Sequence, residues 1–161
     1  MNLAAGLQEA LVSRLSESFA WHLGRRRRSG LSALLVGLDV ETAGVLQAQL
    51  RRCGFSRFTA FASPRGVLEN SGPNIDFDMI LVDFDKFNDV DDGIEGLFDL
   101  RAHAPELPVI IVSSRVAGDD YGRERRSICD ATLRKPVSGR RMATAVETVI
   151  QGFGNGNRYA C

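Results

Sequence analysis

Short apolar runs alternate with segments of helical periodicity from about residue 33 onward. Runs that are rich in branched residues and bounded by turn-forming residues predict β-strands. The five predicted strands are ALLVG (33–37), RFTAFA (57–62), FDMILVD (77–83), PVIIVSS (108–114) and ATLRKP (131–136).

Four other segments carry apolar residues at helical spacing. They are ETAGVLQAQLRRCG (41–54), SPRGVLEN (63–70), DGIEGLFDLRAH (92–103) and RRMATAVETVIQGF (140–153). We expect Gly54 to end the first helix and Ser63 to cap the second. The residues predicted to face the core are Ala43, Leu46, Leu50 and Cys53, then Ile94, Leu97 and Phe98, and finally Met142, Ala145, Val149 and Phe153.

Strands that are joined through helices pair in parallel, because a tight turn can only return the chain antiparallel. The first, third and fourth strands are apolar throughout, which predicts helices on both faces of the sheet. We therefore predict an α/β fold with a five-stranded, doubly wound parallel sheet. Ligand sites in such sheets lie beyond the carboxyl ends of the central strands. A site here would use residues just after positions 36, 82, 112 and 134.

Composition allows one core plus an appendage, since the chain has 161 residues of which 44% are hydrophobic. The 20 basic and 20 acidic residues cancel, so the net charge does not favour nucleic acid or a membrane surface. Charge is nevertheless uneven along the chain. Residues 1–30 hold five Arg and two Glu, whereas residues 76–95 hold eight acids and one Lys.

Three cysteines, Cys53, Cys129 and Cys161, follow no zinc-binding spacing and leave an odd number for pairing. The first two have apolar neighbours, which predicts small buried core residues. No apolar run approaches the roughly 20 residues of a membrane span, and no secretory signal opens the chain. These features predict a cytoplasmic protein with reduced thiols.

Residues 1–24 predict an extra N-terminal helix whose apolar residues recur at steps of four: Leu3, Leu7, Leu11, Leu15, Phe19 and Leu23. Such a stripe winds around the helix, so it either packs on its own domain or pairs with a second copy in a homodimer. Residues 25–31 form a basic linker containing RRRR, and a weak nucleic-acid or membrane contact is an alternative there. Residues 32–153 form the domain and 154–161 a mobile tail. No DNA-binding or catalytic domain is expected after residue 153.

Three residues of different chemistry stand at successive strand ends. Asp83 ends the third strand, Ser113 lies at the end of the fourth, and Lys135 follows the fifth. Each alone is an ordinary turn residue. Together they bring a carboxylate, a hydroxyl and an ammonium to one edge of the predicted sheet.

This pattern resembles the receiver domain of bacterial response regulators over about residues 32–153. DMILVD, PVIIVSS and LRKP carry the resemblance, with separations of 30 residues from Asp83 to Ser113 and 22 from Ser113 to Lys135. The resemblance implies a flavodoxin-like fold of the receiver type. It also implies that Asp83 accepts a phosphoryl group from a sensor histidine kinase or phosphotransfer protein. Ser113 and Lys135 would then bind the phosphoryl oxygens, and Pro136 would follow a cis bond.

In that family a magnesium ion joins the site, held by the acid at Asp83, the carbonyl of Asp85 and an acidic pair after the first strand. Mg²⁺ prefers such hard oxygen ligands and offsets phosphoryl charge. Here Gly37 and Leu38 occupy the positions of the pair, and Asp39 lies one residue later. A bulge at Gly37 would return Asp39 to the site, so Mg²⁺ binding stays open.

The loop after Asp83, DFDKFNDVDDG, is unusually acidic but does not match the calcium-loop template. These acids either solubilise the loop and cap the next helix, with Asp91 or Asp92 at its N-terminus, or bind a divalent ion weakly.

The switching features of the family are altered. Thr132 stands where an aromatic residue commonly occurs, and RVAGDDYGRERRS (115–127) departs from a compact helix because of its glycines and arginines. Tyr121 is the nearest aromatic candidate for a switch or output residue.

The leading hypothesis is a stand-alone, receiver-like response regulator in two-component phosphorelay signalling. It would accept phosphate on Asp83, keep a degenerate Mg²⁺ site and act through a downstream protein partner rather than as an enzyme. The alternative is a pseudo-receiver that serves as a dimerisation or adaptor module without phosphorylation. A small flavin or nucleotide enzyme is disfavoured, because no glycine-rich phosphate loop follows the first strand.

Overall fold

The computed structural model describes residues 30–72 and 75–154. The strands are β1 (Leu31–Val36), β2 (Phe55–Phe61), β3 (Met79–Asp83), β4 (Val109–Ser113) and β5 (Ala131–Arg134). The helices are α1 (Val40–Arg52), α2 (Pro64–Asn70), α3 (Val90–His103) and α4 (Gly139–Gly154). The predicted N-terminal helix, most of the basic linker, residues 155–161 of the predicted tail and the side chain of Phe153 lie outside the described residues, whereas Gly154, expected in the tail, ends α4. Leu31, expected in the linker, begins β1.

All strand pairs are parallel, and the sheet order is β2-β1-β3-β4-β5. The predicted α/β fold with a five-stranded, doubly wound parallel sheet is therefore confirmed. The chain moves outward from β1 to β2 in one direction and from β3 to β5 in the other. The loops after β1 and β3 consequently lie at the point where the strand order reverses, which is where such sheets hold their ligands.

Of the described helices, two cover each face of the sheet. Alternate strand residues point to opposite faces, so the same strands supply two separate apolar layers. Under α1 and α4 the layer includes Leu35, Leu50, Leu81, Val112, Leu133 and Met142. Under α2 and α3 it includes Leu34, Val67, Ile80, Leu97, Leu100 and Ile111. The continuous apolar character of β1, β3 and β4 follows from this two-sided burial.

Helix ends agree with the turn chemistry of the sequence. Gly54 has φ +95°, a left-handed conformation that ends α1 after its C-cap at Cys53. The Ser63 hydroxyl accepts a hydrogen bond from the Gly66 N–H at 3.1 Å and caps α2 as expected. The cap of α3 is Asp89, which accepts from the N–H groups of Asp91 and Asp92 at 2.9 and 3.2 Å. Those two acids lie in the first turn instead, where they complement the helix dipole.

The core-facing side of α3 differs from the expected one at Phe98. Its buried residues are Gly93, Gly96, Leu97 and Leu100, which recur at helical spacing, while the Phe98 side chain is 48% exposed. The expectation that Phe98 faces inward is wrong, because small glycines allow the neighbouring face of α3 to approach the domain. The Cβ position of Gly96 lies only 3.1 Å from Pro64 of α2.

The segment between β4 and β5 contains no α-helix. It forms one 3-10 turn, Arg123–Arg125, and an isolated antiparallel bridge between Asp120 and Thr132. The departure from a compact helix that the glycines predict is confirmed. Within the described part of the chain, no helix has both the length and the apolar composition to cross a membrane.

Candidate functional site

The three strand-end residues lie at one edge of the sheet. Asp83 pairs in register with Val112 of β4, and Ser113 pairs with Arg134 of β5, the residue before Lys135. This places the carboxylate, the hydroxyl and the ammonium of the sequence pattern on adjacent strands. The Lys135–Pro136 bond is cis, as the resemblance implies.

Asp83 and Lys135 form a close ion pair. The Lys135 ammonium donates to both carboxylate oxygens of Asp83, with each Nζ–O distance 2.6 Å. The Asp83 side chain has no exposed surface, and that of Lys135 keeps 22%. A fully buried carboxylate needs such a partner, since an unpaired charge away from water is strongly unfavourable. Lys135 therefore balances Asp83 within the fold.

Asp85 lies between the remaining groups. Its carboxylate accepts a 2.6 Å hydrogen bond from the Ser113 hydroxyl and a 2.8 Å bond from the Ser114 N–H. The Lys135 ammonium lies 3.1 Å from the same carboxylate, whose side chain is 16% exposed. Asp85 thus joins β4 and Lys135 to the 3-10 turn Phe84–Lys86 after β3.

The protonation state of Asp85 follows from these donors. Partial burial raises the pKa of the Asp85 carboxyl, but the hydrogen bonds from Ser113, Ser114 and Lys135 outweigh it. They hold that pKa well below its ordinary range, so the group is an anion throughout the physiological range of pH.

Asp39 is used elsewhere than at the site. It caps α1 by accepting from the Thr42 N–H at 2.7 Å, and its other oxygen is 2.8 Å from the Lys86 ammonium. Lys86 and the helix cap lower the pKa of the Asp39 carboxyl. Among the described residues, no three acids, histidines or cysteines are grouped closely enough to hold a metal ion. The carboxylates of Asp39, Asp83 and Asp85, which were the expected metal set, therefore do not form such a group.

Gly37, at the first position of the missing acidic pair, is closely covered. It has φ +74°, and a Cβ atom there would lie 3.0 Å from the Asp83 carbonyl oxygen and 3.3 Å from the Phe87 ring. Phe87 in turn packs edge-on against Phe84, with ring centroids 5.3 Å apart. An aromatic ring thus packs directly over the first position of the expected pair. The second position is Leu38, which packs on the apolar layer under α1 and α4.

These residues do not fit the magnesium ion that the resemblance implies. The ion would need the acidic pair after β1, but Gly37 and Leu38 carry no carboxylate and Asp39 is engaged by Thr42 and Lys86. The Lys135 ammonium supplies the positive charge at this point of the fold.

The two switch candidates lie on opposite sides of β5. Thr132 is buried, with its hydroxyl 3.6 Å from the Cys129 sulfur, in the half of the molecule under α2 and α3. Tyr121 packs against the layer under α1 and α4, and burial, followed by the charge of Asp119, raises the pKa of its phenol. The backbone nevertheless links them, because Asp120, the neighbour of Tyr121, pairs with Thr132 in the antiparallel bridge.

Sequence reasoning missed two features of this edge. The Asp85 side chain, considered there for its carbonyl, is the central hydrogen-bond acceptor. Lys86, the only basic residue in the acidic stretch, pairs with Asp39. The isolated Lys86 in an acidic stretch was the sequence signal for its ion pair. The role of Asp85 had no such signal, because it depends on the direction of its side chain.

Comparisons with known proteins agree with the fold. No protein-family model matches the chain, and no curated protein sequence matches it. Among solved structures, a response regulator receiver protein from Sinorhizobium medicae has 21% identity and TM-score 0.59, covering 78% of this chain and 98% of its own. A CheY-like receiver domain protein from Methanospirillum hungatei has 19% identity and TM-score 0.61, covering 80% and 99%.

A third similar structure is the N-terminal domain of a response regulator/sensory box/GGDEF protein from Carboxydothermus hydrogenoformans. It has 17% identity and TM-score 0.62, and the match covers 78% of this chain and 98% of that one. The described residues of this protein, with their parallel sheet and their Asp83, Ser113 and Lys135 edge, therefore have the fold of response regulator receiver domains.

Proposed function

We propose that the protein is a receiver-fold signalling module that acts by binding other proteins and does so without metal-dependent phosphorylation. This is the pseudo-receiver alternative that the sequence left open. One observation carries it: the Lys135 ammonium holds both oxygens of a fully buried Asp83. A carboxylate in that state is not exposed to a phosphoryl donor, and the Phe87 ring packs over Gly37, the first position of the acidic pair that a metal site would need.

The surrounding contacts support the same function. The Ser113 hydroxyl and the Ser114 N–H, which would otherwise be available to phosphoryl oxygens, both donate to Asp85. Output through protein contact is consistent with exposed apolar side chains, such as Phe98 on α3 at 48% and Val45 on α1 at 55%. Isolated exposed apolar residues are common, so this second support is weaker than the first.

Phosphorylation chemistry tests the proposal directly. Purified protein is incubated with Mg²⁺ and acetyl phosphate, and an intact mass spectrum is recorded beside that of the Asp83→Asn variant. A receiver domain that is known to react serves as the positive control. We expect no phosphoryl adduct on either form of this protein. An adduct on the wild type that is absent from Asp83→Asn would contradict the proposal.

A partner-binding experiment tests whether the protein binds other proteins independently of phosphorylation. If phosphorylation is not used, proteins that are cross-linked to the wild type in cells are also recovered with Asp83→Asn, in equal yield. Phe98→Ser removes an exposed apolar contact without opening the core. Reduced recovery of the same proteins with that variant would support output through α3, and unequal recovery with Asp83→Asn would count against independence from phosphorylation.

A second candidate is the phosphoacceptor hypothesis from the sequence, which is favoured by the meeting of Asp83, Ser113 and Lys135 at one edge. The Asp83 carboxylate would attack the phosphorus of a phosphohistidine on a sensor histidine kinase or phosphotransfer protein, forming an acyl phosphate while the P–N bond breaks and the histidine leaves. Lys135 and Ser113 would then have to leave their present carboxylate partners to bind the phosphoryl oxygens. The adduct experiment above separates the two functions.

A further inference from the structure

Three donors converge on one point at the carboxyl edge of the sheet. They are the Ser113 hydroxyl, the Ser114 N–H and the Lys135 ammonium, which we call the oxyanion cradle. All three contact the Asp85 carboxylate, at 2.6, 2.8 and 3.1 Å. A hydroxyl, a backbone amide and an ammonium are the groups that proteins use to bind an oxyanion.

The direction of the Ser113 hydroxyl is set by its neighbours. The Ser113 oxygen accepts a hydrogen bond from the Arg115 N–H at 3.1 Å. Its own hydrogen is then available for donation, and it is directed at Asp85 Oδ1. The cradle therefore presents donors only, and its natural partner is an anion.

We propose that Asp85 is an internal anion that occupies the oxyanion cradle in place of a free phosphate-like group. The carboxylate arrives from the 3-10 turn after β3, so it is held at a high effective concentration by the fold itself. An intramolecular acceptor loses little entropy on binding, whereas a free ion loses its translational freedom. The wild-type cradle is consequently closed to small oxyanions.

As a consequence, Ser113 and Ser114 at the end of β4 always have an anion bound to them, and that anion is Asp85. This inference rests on the proposed function, because it supplies the reason why the edge works without a phosphoryl group. It also makes a separate claim, since emptying the cradle should create a binding site for a tetrahedral oxyanion. Ser114 is exposed, so such an ion could reach the cradle from solvent.

The Asp85→Ala variant tests this claim with inorganic phosphate as the probe. Backbone amide shifts are followed while phosphate is added to the wild type and to the variant at constant ionic strength. We expect the variant to bind phosphate at least about tenfold more tightly than the wild type, with the largest shifts at Ser114 and Arg115. Asp85→Leu, which fills a similar volume without an acceptor oxygen, is the second variant if Asp85→Ala does not fold.

Two further variants identify the cause of any gain in phosphate affinity. Asp92→Ala removes one charge from the same acidic loop without touching the cradle, because Asp92 pairs with Arg65. Adding Ser113→Ala to Asp85→Ala removes one donor. We expect no gain in phosphate affinity from the first and loss of the gain from the second. An equal gain from Asp92→Ala, or no gain from either Asp85 variant, would overturn the internal-anion role.

These outcomes are separable from those of the proposed function. A phosphoryl adduct on Asp83 would refute the proposed function while leaving the phosphate affinity of Asp85→Ala unaffected. Conversely, failure of Asp85→Ala to gain affinity would refute the internal anion even if Asp83 never accepts a phosphoryl group.

Discussion

Replacing Lys135 with methionine should destabilise the fold through the buried carboxylate of Asp83. Methionine has similar length but no charge, so the change removes the ammonium while filling much of its space. Asp83 has no exposed surface and receives both of its 2.6 Å contacts from this one group. The variant leaves that charge buried without the ammonium, although the Asp85 N–H still donates to it at 3.1 Å.

The expected cost follows from the burial of both partners. Removing one member of a buried ion pair costs about 3–5 kcal/mol. Lys135 is 22% exposed, so water partly replaces it and we expect the lower end, about 3 kcal/mol. This is a large part of the roughly 5–15 kcal/mol stability of a typical domain. The Asp83→Asn,Lys135→Met double variant should recover at least about 1.5 kcal/mol, because the fully buried charge of Asp83 is removed together with its partner.

Urea unfolding monitored by circular dichroism measures this cost. With a slope of about 1.5 kcal/mol per molar urea, the midpoint should fall by about 2 M. Lys86→Met is the matched control, since Lys86 and Asp39 form a pair whose side chains are 46% and 44% exposed. Exposed pairs contribute little, so its midpoint should stay close to the wild-type value.

Two results would refute the reasoning. A fall of less than about 0.5 M for Lys135→Met would mean that Asp83 does not depend on this ammonium. Strictly additive effects of Asp83→Asn and Lys135→Met would mean that the two groups are not coupled.

Three other predictions concern the backbone, the thiols and the response to acid. Gly37→Ala should lower the free energy of unfolding by about 2 kcal/mol, because φ is +74° and a Cβ would lie 3.0 Å from a carbonyl oxygen. Gly44→Ala, in open space on α1, should be neutral or stabilising in the same urea assay. Burial raises the pKa of the Cys53 thiol to about 11 and also raises that of Cys129, so a thiol reagent at pH 8 should modify both only after unfolding; rapid native labelling of either would contradict this. Arg141 holds the pKa of the Asp119 carboxyl below its ordinary value, so the unfolded state binds more protons there. The contribution of the Asp119–Arg141 pair to the free energy of unfolding should be complete above about pH 5 and lost as pH falls below about 4. Asp119→Asn should therefore flatten the decline of stability with acid, and an unchanged slope would exclude the pair from acid unfolding.

The periodicity of the sequence was enough to predict the fold. The periodicity of apolar residues shows where strands and helices alternate. Parallel pairing follows because successive strands are joined through helices rather than tight turns. The same reasoning predicted a departure from helix at residues 115–127, because glycine disfavours helices regardless of context. The prediction that Phe98 faces the core was wrong. Gly93 and Gly96 let Phe87 and Pro64 approach α3 closely, and this contact decides which side of the helix is buried.

What the sequence alone determined was which chemical groups reach the carboxyl edge of the sheet. Strand ends fix the positions of Asp83, Ser113 and Lys135, because backbone register carries them there. Only the tertiary structure decided which carboxylate each donor contacts. Asp39 pairs with Lys86 and caps α1, whereas Asp85 accepts the hydrogen bond from the Ser113 hydroxyl. The physical reason is that charges pair over distances of a few ångströms, and those distances are set by side-chain directions that no linear pattern records.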